Sequence, residues 1–184
     1  MILAIDIGNT NIVLGCMDSE KILFTARFST DRDKTSDEYA ILLQNLFMVN
    51  RFNISQIEGG IISSVVPELS IALKEAVKIV TGKIAMIVGS GLKTGLNIMI
   101  DNPAQLGSDL VVDAVAACAE YKAPILIFDM GTATTLSVID EVGNYIGGMI
   151  IPGLRLATEA LSARTSQLPH ISLEAPKKIT DRKS

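Results

Sequence analysis

Short apolar runs broken by polar turns organise the first part of the chain. Met1 to Ile7 reads as a buried strand, and Ile12 to Met17 and Ile22 to Phe28 follow as two further β-rich runs parted by the turn-like Asp18-Ser19-Glu20. Three strands in succession predict an antiparallel meander. The period then changes, because Tyr39, Ile41, Leu42, Leu43, Leu46 and Phe47 recur mostly at helical spacing, behind Ser36 or Asp37 as the candidate cap. Gly59 to Val66 is a short apolar strand. Pro67 opens a helix through about Val80 that Thr81-Gly82 closes, and Ile84 to Val88 is another strand. Beyond a glycine-rich loop, Pro103-Ala104-Gln105-Leu106-Gly107 leads into a helix from about Ser108 to Tyr121.

The pattern then begins again. Pro124 to Asp129, Thr135 to Asp140 and Tyr145 to Ile151 predict a second three-strand meander, with Glu141-Val142-Gly143-Asn144 as a hairpin turn, before Pro152-Gly153 passes into a helix from Leu154 to about Ala163. Strands and helices interleaved in this way predict an α/β fold with mixed sheets and an internal duplication. The second copy lacks the trailing strand and helix of the first, so the chain is expected to be a fragment of a longer protein.

Composition narrows the classes. With 184 residues, 48% of them hydrophobic, the chain can bury a core of ordinary size. Only 20% of residues are charged and the net charge is −4, which leaves no broad basic surface for a nucleic-acid backbone. Lys177, Lys178, Arg182 and Lys183 read as a solvated tail or helix end. The opening Met1-Ile2-Leu3-Ala4-Ile5-Asp6 carries a carboxylate within its apolar run and no basic leader, unlike a secretory signal, and no stretch is long enough to span a bilayer. Cys16 and Cys118 lie far apart and outside any Cys-x-x-Cys pair; both are read as buried small apolar residues in a reducing, cytoplasmic compartment.

The chemistry concentrates where each meander turns. Asp6-Ile7-Gly8-Asn9-Thr10-Asn11 and Asp129-Met130-Gly131-Thr132-Ala133-Thr134-Thr135 each put a carboxylate at a strand end, then a glycine whose missing side chain lets backbone N–H groups approach an anion, then hydroxyl or amide side chains. An Asx-turn shaping a tight hairpin accounts for one such copy. Two matching copies point instead to a polyphosphate gripped from both sides, with Asp6 and Asp129 able to anchor Mg²⁺ together with waters and the phosphates themselves. Asp109 opens a predicted helix just after Gly107, with Asp113 one turn further on the same face. There a carboxylate can accept the proton of an attacking hydroxyl, or merely stabilise the helix dipole.

Other motifs fail on inspection. Gly89-Ser90-Gly91-Leu92-Lys93-Thr94 ends like a P-loop, but Leu92 and Ile87 occupy the places of its glycines, and Thr94 replaces the last glycine of a dinucleotide fingerprint. His170, the single histidine, has no nucleophile or metal-ligand pattern around it and reads as structural. Gly147-Gly148 to Pro152-Gly153 serves close backbone packing or ligand contact equally well.

Taken in order, the two aspartate hairpins, Ser63-Ser64-Val65-Val66-Pro67, Asn102-Pro103 with Gly107-Ser108-Asp109, and Gly147-Gly148 to Pro152-Gly153 resemble type III pantothenate kinase over essentially the whole chain. The resemblance implies an actin-like, sugar-kinase-like fold of two ribonuclease-H-like lobes, here residues 1–122 and the start of a truncated second lobe at 123–184, in a homodimer. It implies transfer of the γ-phosphoryl of ATP, with Mg²⁺, to the 4′-hydroxyl of pantothenate, the first step of coenzyme A synthesis. On matching positions, Asp6, Ile7, Gly8, Asn9, Thr10, Asn11, Ile12 and Val13 would form the first phosphate-binding segment and Thr132 would contact ATP. Asp129 would help bind a monovalent cation, potassium or ammonium, where the residues alone suggested Mg²⁺. Gly107, Ser108, Asp109 and Leu110 would border pantothenate with Asp109 as proton acceptor, and Ser184 falls where a substrate-contacting threonine is expected.

Two positions depart from the family's pattern: Leu110 stands where an arginine is usual and Ile100 where a tyrosine is, which touches pantothenate binding more than ATP binding. Two readings therefore stand beside the kinase. One is a non-catalytic nucleotide-binding regulator of the same fold; the other is a different small-molecule kinase of the superfamily.

Overall fold

The computed structural model describes residues 1–19, 21–89, 91–169 and Leu173. His170, Ser184 and the basic residues near the end lie outside these. The first meander forms as expected, from β1 (Ile2–Ile7), β2 (Asn11–Asp18) and β3 (Lys21–Ser29). Helix α1 (Ser36–Val49), β4 (Gly59–Ser64), α2 (Pro67–Thr81) and β5 (Ala85–Ile87) complete a mixed sheet of order β3-β2-β1-β4-β5, antiparallel on the β2 side of β1 and parallel on the β4 side.

Strand alternation turns Leu3, Ile5, Ile7, Ile12, Leu14 and Ile62 to one face, where Tyr39, Leu43 and Phe47 of α1 and Leu69, Leu73 and Val77 of α2 cover them. All are essentially excluded from solvent, at about 1.5–3 kcal/mol for each large apolar side chain, so this layer is the core of the molecule. The cap of α1 is Thr35, neither Ser36 nor Asp37. Thr35 Oγ1 accepts from the Glu38 N–H at 3.3 Å while Glu38 accepts from the Thr35 N–H at 2.8 Å, a reciprocal pairing that begins one residue earlier than expected. Helix α2 starts at Pro67 and ends on Gly82, whose left-handed φ of 71° terminates it without steric cost.

The second sheet has the order β6-β9-β8-β7, built from β6 (Asn97–Ile98), β7 (Ile125–Met130), β8 (Ala133–Ile139) and β9 (Asn144–Pro152). Its meander was legible; β6 was not, because two residues carry no alternation to read. Sheet membership therefore divides the strands between β5 and β6, earlier in the chain than the end of helix α3 (Ser108–Glu120). Among the described residues its buried apolar cluster is Ala114, Ile139 and Tyr145. Helix α3 packs on β4 of the first sheet and on β7 and β8 of the second, and so becomes a wall shared by both. Helix α4 (Leu154–Arg164) follows β9. Cys16 is buried and free as expected, whereas Cys118 is free but exposed on α3. Among the described residues no helix is long and apolar enough to cross a membrane.

Candidate active site

The first hairpin turn is narrow because the Gly8 N–H donates back to the Asn11 carbonyl at 3.0 Å, and a Cβ on Gly8 would stand only 3.1 Å from that same oxygen. It is braced from β3 and beyond: the Thr30 N–H donates to the Thr10 carbonyl at 3.0 Å, Thr30 Oγ1 donates to the Gly8 carbonyl at 2.7 Å, and the Arg32 guanidinium donates to Asn9 Oδ1 at 3.1 Å. The second hairpin closes one residue sooner, with the Gly131 N–H donating to the Ala133 carbonyl at 3.0 Å. Its brace is Gly153, whose N–H donates to the Thr132 carbonyl at 3.0 Å and whose place admits no side chain, since a Cβ there would run into the Gly131 and Thr132 carbonyls. Thr10 Oγ1 and Thr132 Oγ1 meet at 2.9 Å, so the two hairpin tips touch.

Between them opens a cleft of about 470 Å³, lined by Asp6, Gly8 to Asn11, Val13, Asp109, Asp129 and Gly131 to Ala133 among others. Three carboxylates from three separate elements thus share one space. Asp6 is exposed to the open cleft, yet the walls around it strip away enough solvent to raise its carboxyl above the ordinary range; a hydrogen bond from Ser63 opposes the rise, while the charges of Asp109 and Asp129 add to it. Asp113 sits one turn after Asp109 on α3, and burial, followed by repulsion from Asp129, Asp109 and Asp6, pushes it up to about 6. An excess of negative charge of this kind suits a site whose ligand arrives with its own cation. No group of three or more His, Cys, Asp or Glu residues that could cage a metal occurs among the described residues. One or two carboxylates facing open space fit Mg²⁺ carried by phosphates, which keeps most of its shell from water and phosphate oxygens.

Asp109 is the second residue of α3. The Leu110 N–H donates to its Oδ1 at 2.9 Å, which serves one of the orphan donors of the helix start. A Cβ on Gly107 would collide with that same Oδ1, so glycine is what permits this carboxylate conformation. The other expected site residues divide. Ile7, Gly8, Asn9, Thr10, Asn11, Val13 and Thr132 line the cleft, but Ile12 does not: strand alternation turns its side chain into the fully buried core beneath. Ser108 points its hydroxyl toward β4, and Leu110 faces a separate depression of about 300 Å³. Ile100, Leu106, Leu136, Met149 and Ile150 join it there, and among the described residues no charged one lines that space. Ser184 lies outside the described residues. Gly89 and Thr94 border a third depression, away from the aspartates.

Arg27 of β3 and Val65 also line the cleft, and neither was read from the sequence. Arg27 is the one cationic side chain there among the described residues. The register explains it: Ser63, Asp6, Val13 and Arg27 are paired in a row across β4, β1, β2 and β3, so all four share a face. Only knowledge of that register could have connected Arg27 with Asp6.

Comparison with known proteins adds an independent finding. The model of the type III pantothenate kinase family matches residues 2–183. A type III pantothenate kinase of Exiguobacterium sp. (strain ATCC BAA-1283 / AT1b) is 46% identical over 176 residues, which is 96% of this chain and 69% of that protein. Among solved structures, a Sinorhizobium meliloti protein assigned as a 2-dehydro-3-deoxygalactonokinase superposes with a TM-score of 0.53 at 10% identity, covering 90% of this chain and 57% of that one. That second likeness is one of fold, the mixed-sheet α/β architecture of actin-like and sugar-kinase-like proteins.

Proposed function

Because this chain belongs to the type III pantothenate kinase family, we propose that ATP and pantothenate meet in the cleft between its two sheets, with Asp109 orienting the acceptor hydroxyl. The reaction moves the γ-phosphoryl of ATP to the 4′-hydroxyl of pantothenate in coenzyme A synthesis. A bond forms between the 4′-oxygen and Pγ as the bond from Pγ to the β,γ-bridging oxygen breaks, and the hydroxyl proton passes to Asp109. Such a transition state is loose, so it asks mainly for an aligned nucleophile and for neutralisation of phosphate charge. A carboxylate at a helix start is a weak base and an adequate guide.

The two hairpins hold the phosphates through the N–H groups around Gly8 and Gly131 and through the Asn9, Thr10, Asn11 and Thr132 side chains. Arg27 adds positive charge on the same side. Asp6 holds the Mg²⁺ that accompanies the nucleotide, and Asp129 holds a monovalent cation, potassium or ammonium; these ions neutralise phosphate charge when bound. Gly107, Asp109 and Leu110 border pantothenate, whose uncharged pantoyl portion suits the apolar wall of Leu110 and Ile100. On the strength of the family alone we assign residues 1–122 to the first lobe and 123–184 to the second, with β6 of the first segment crossing over to join the second sheet, and place the enzyme in the cytoplasm as a homodimer.

What carries this reading is that Asp6, Asp109 and Asp129, far apart in sequence, line one cleft beside two touching hairpins. A coupled assay with ATP, Mg²⁺, K⁺ and pantothenate tests it in the full-length protein. Asp109→Asn is expected to lower kcat by about 10²–10⁴-fold while the Kd for ATP changes less than about twofold. Undiminished turnover in that variant would refute the role of Asp109.

A further inference from the structure

The segment Ser63-Ser64 ends β4 beside the cleft, yet nothing in the phosphate or acceptor chemistry uses it. Strand β5 pairs with β4 from Gly60 to Ile62, and its last ladder bond runs from the Val88 N–H to the Ile62 carbonyl at 2.8 Å. The chain then leaves the sheet. Main-chain groups two residues apart on a strand point to the same side, so the Ser64 N–H and C=O face the place where β5 would have continued. Left there without partners, a half-buried peptide group would cost about 1–3 kcal/mol.

A side chain fills that place. Ser108, the first residue of α3, accepts from the Ser64 N–H at 3.0 Å, donates to the Ser64 carbonyl at 2.9 Å, and accepts from the Ser63 hydroxyl at 3.3 Å. A serine hydroxyl has one donor and two acceptor sites, and all three are used. Ser108 therefore acts as a one-residue extension of the missing strand, with its proton and one lone pair held by the Ser64 peptide and the other lone pair facing Ser63. Ser63 is 6% exposed and is the register partner of Asp6, whose carboxyl its hydroxyl lowers by hydrogen bonding. Its single hydrogen can turn to Asp6 or to Ser108, which connects the nucleotide side of the cleft to the helix that carries Asp109.

We propose that Ser108 and Ser63 are positioning residues that splice the start of α3 onto the end of β4 and thereby fix Asp109 against the acceptor hydroxyl. Ser108 is not a substrate contact, contrary to the role that the resemblance implied for it. The inference rests on Asp109 orienting the acceptor, and the two can fail separately.

The test is kinetic and structural, in the full-length protein. Ser108→Ala is expected to lower kcat by about 10- to 100-fold, the effect of an ångström-scale misplacement, with the KM values for ATP and pantothenate within about twofold. Ser108→Thr, which keeps the hydroxyl, restores most of that loss, and Ser63→Ala causes a smaller fall in the same sense. In an Asp109→Asn background, Ser108→Ala causes no further fall, because it acts through the residue already removed. Amide exchange at Ser64 and Val111 quickens in Ser108→Ala while the core amides of α1 and α2 do not change. A raised KM for pantothenate at unchanged kcat would overturn the proposal in favour of direct contact, and so would an equal fold-loss in both backgrounds or unaltered exchange at Ser64. If Ser108→Ala does not fold, Ser63→Ala and Ser108→Thr decide by the same readings. Full turnover in Asp109→Asn itself would instead remove the assignment of Asp109, leaving the splice to be judged on exchange.

Discussion

Asp6 stands on a strand with neighbours on both sides, between β2 and β4, whereas Asp129 stands on β7, which pairs only with β8 among the described residues. Each hairpin that follows closes on a glycine N–H, the first on the Asn11 carbonyl and the second, one residue tighter, on the Ala133 carbonyl, but their footing is unequal. Beneath the first lies the double layer of β-sheet and α1 with α2; around the second, Leu126, Phe128 and Met130 of β7 are 63%, 63% and 77% exposed. The first hairpin is held by Thr30 and Arg32 from another strand and loop, the second by the bare peptide of Gly153. A duplicated motif thus needs only its strand-end aspartate and glycine N–H closure in common, and not its turn length. Its rigidity comes from the surrounding elements, and here those elements favour the first copy.

The largest expected consequence is on stability. Leu43→Ala, in α1 beneath the first sheet, should cost about 2–5 kcal/mol in urea unfolding, while Phe128→Ala on β7 should stay within about 0.5 kcal/mol. Comparable losses at the two positions would break the comparison. The next is on nucleotide affinity. If both tips grip one polyphosphate, Thr10→Val and Thr132→Val should each weaken ATP binding by roughly 10- to 150-fold in calorimetry, about the worth of one hydrogen bond to a charged group. A large effect at Thr10 with none at Thr132 would show that the less supported hairpin takes no part.

The smallest effect is on pH dependence, and it probes the wall that the two sheets share. Asp113 has an ordinary value of 3.8 that the folded protein pushes up to about 6, so the folded state holds the proton more tightly than the unfolded state does. Stability is then greatest below pH 3.8 as far as this group is concerned, falls as pH rises through that window, and has lost the whole contribution above about pH 6. Asp113→Asn should therefore stabilise the protein at pH 8 by on the order of 1 kcal/mol, allowing for solvent screening, and by almost nothing at pH 4. Equal stabilisation at both pH values would place its origin in packing instead of in the crowded carboxylates.

Much of this architecture was readable because strands and helices announce themselves locally. The alternation of Leu3, Ile5 and Ile7, the helical spacing from Tyr39 to Phe47 and the Pro67 start with the Gly82 stop all act within a few residues. The hairpins were readable for the same reason: a strand-end aspartate followed by glycine is a local signal. What escaped depends on register. Arg27 reaches the cleft only through its pairing with Val13, Ile12 leaves it by alternation within the motif, and Asn97–Ile98 becomes a strand only by lying beside Asn144 and Tyr145. The bonds between the Ser108 hydroxyl and the Ser64 peptide escaped likewise, since they join a helix start to a strand end far away in the chain.

The central claim is that both hairpins hold one polyphosphate beside Asp109. Amide exchange of the full-length protein, with and without the Mg²⁺ complex of a non-hydrolysable ATP analogue, tests it most directly. Exchange should slow at Gly8 to Asn11 and at Gly131 to Ala133 together, with a single midpoint on titration. Protection confined to one hairpin, or two well-separated midpoints, would contradict it.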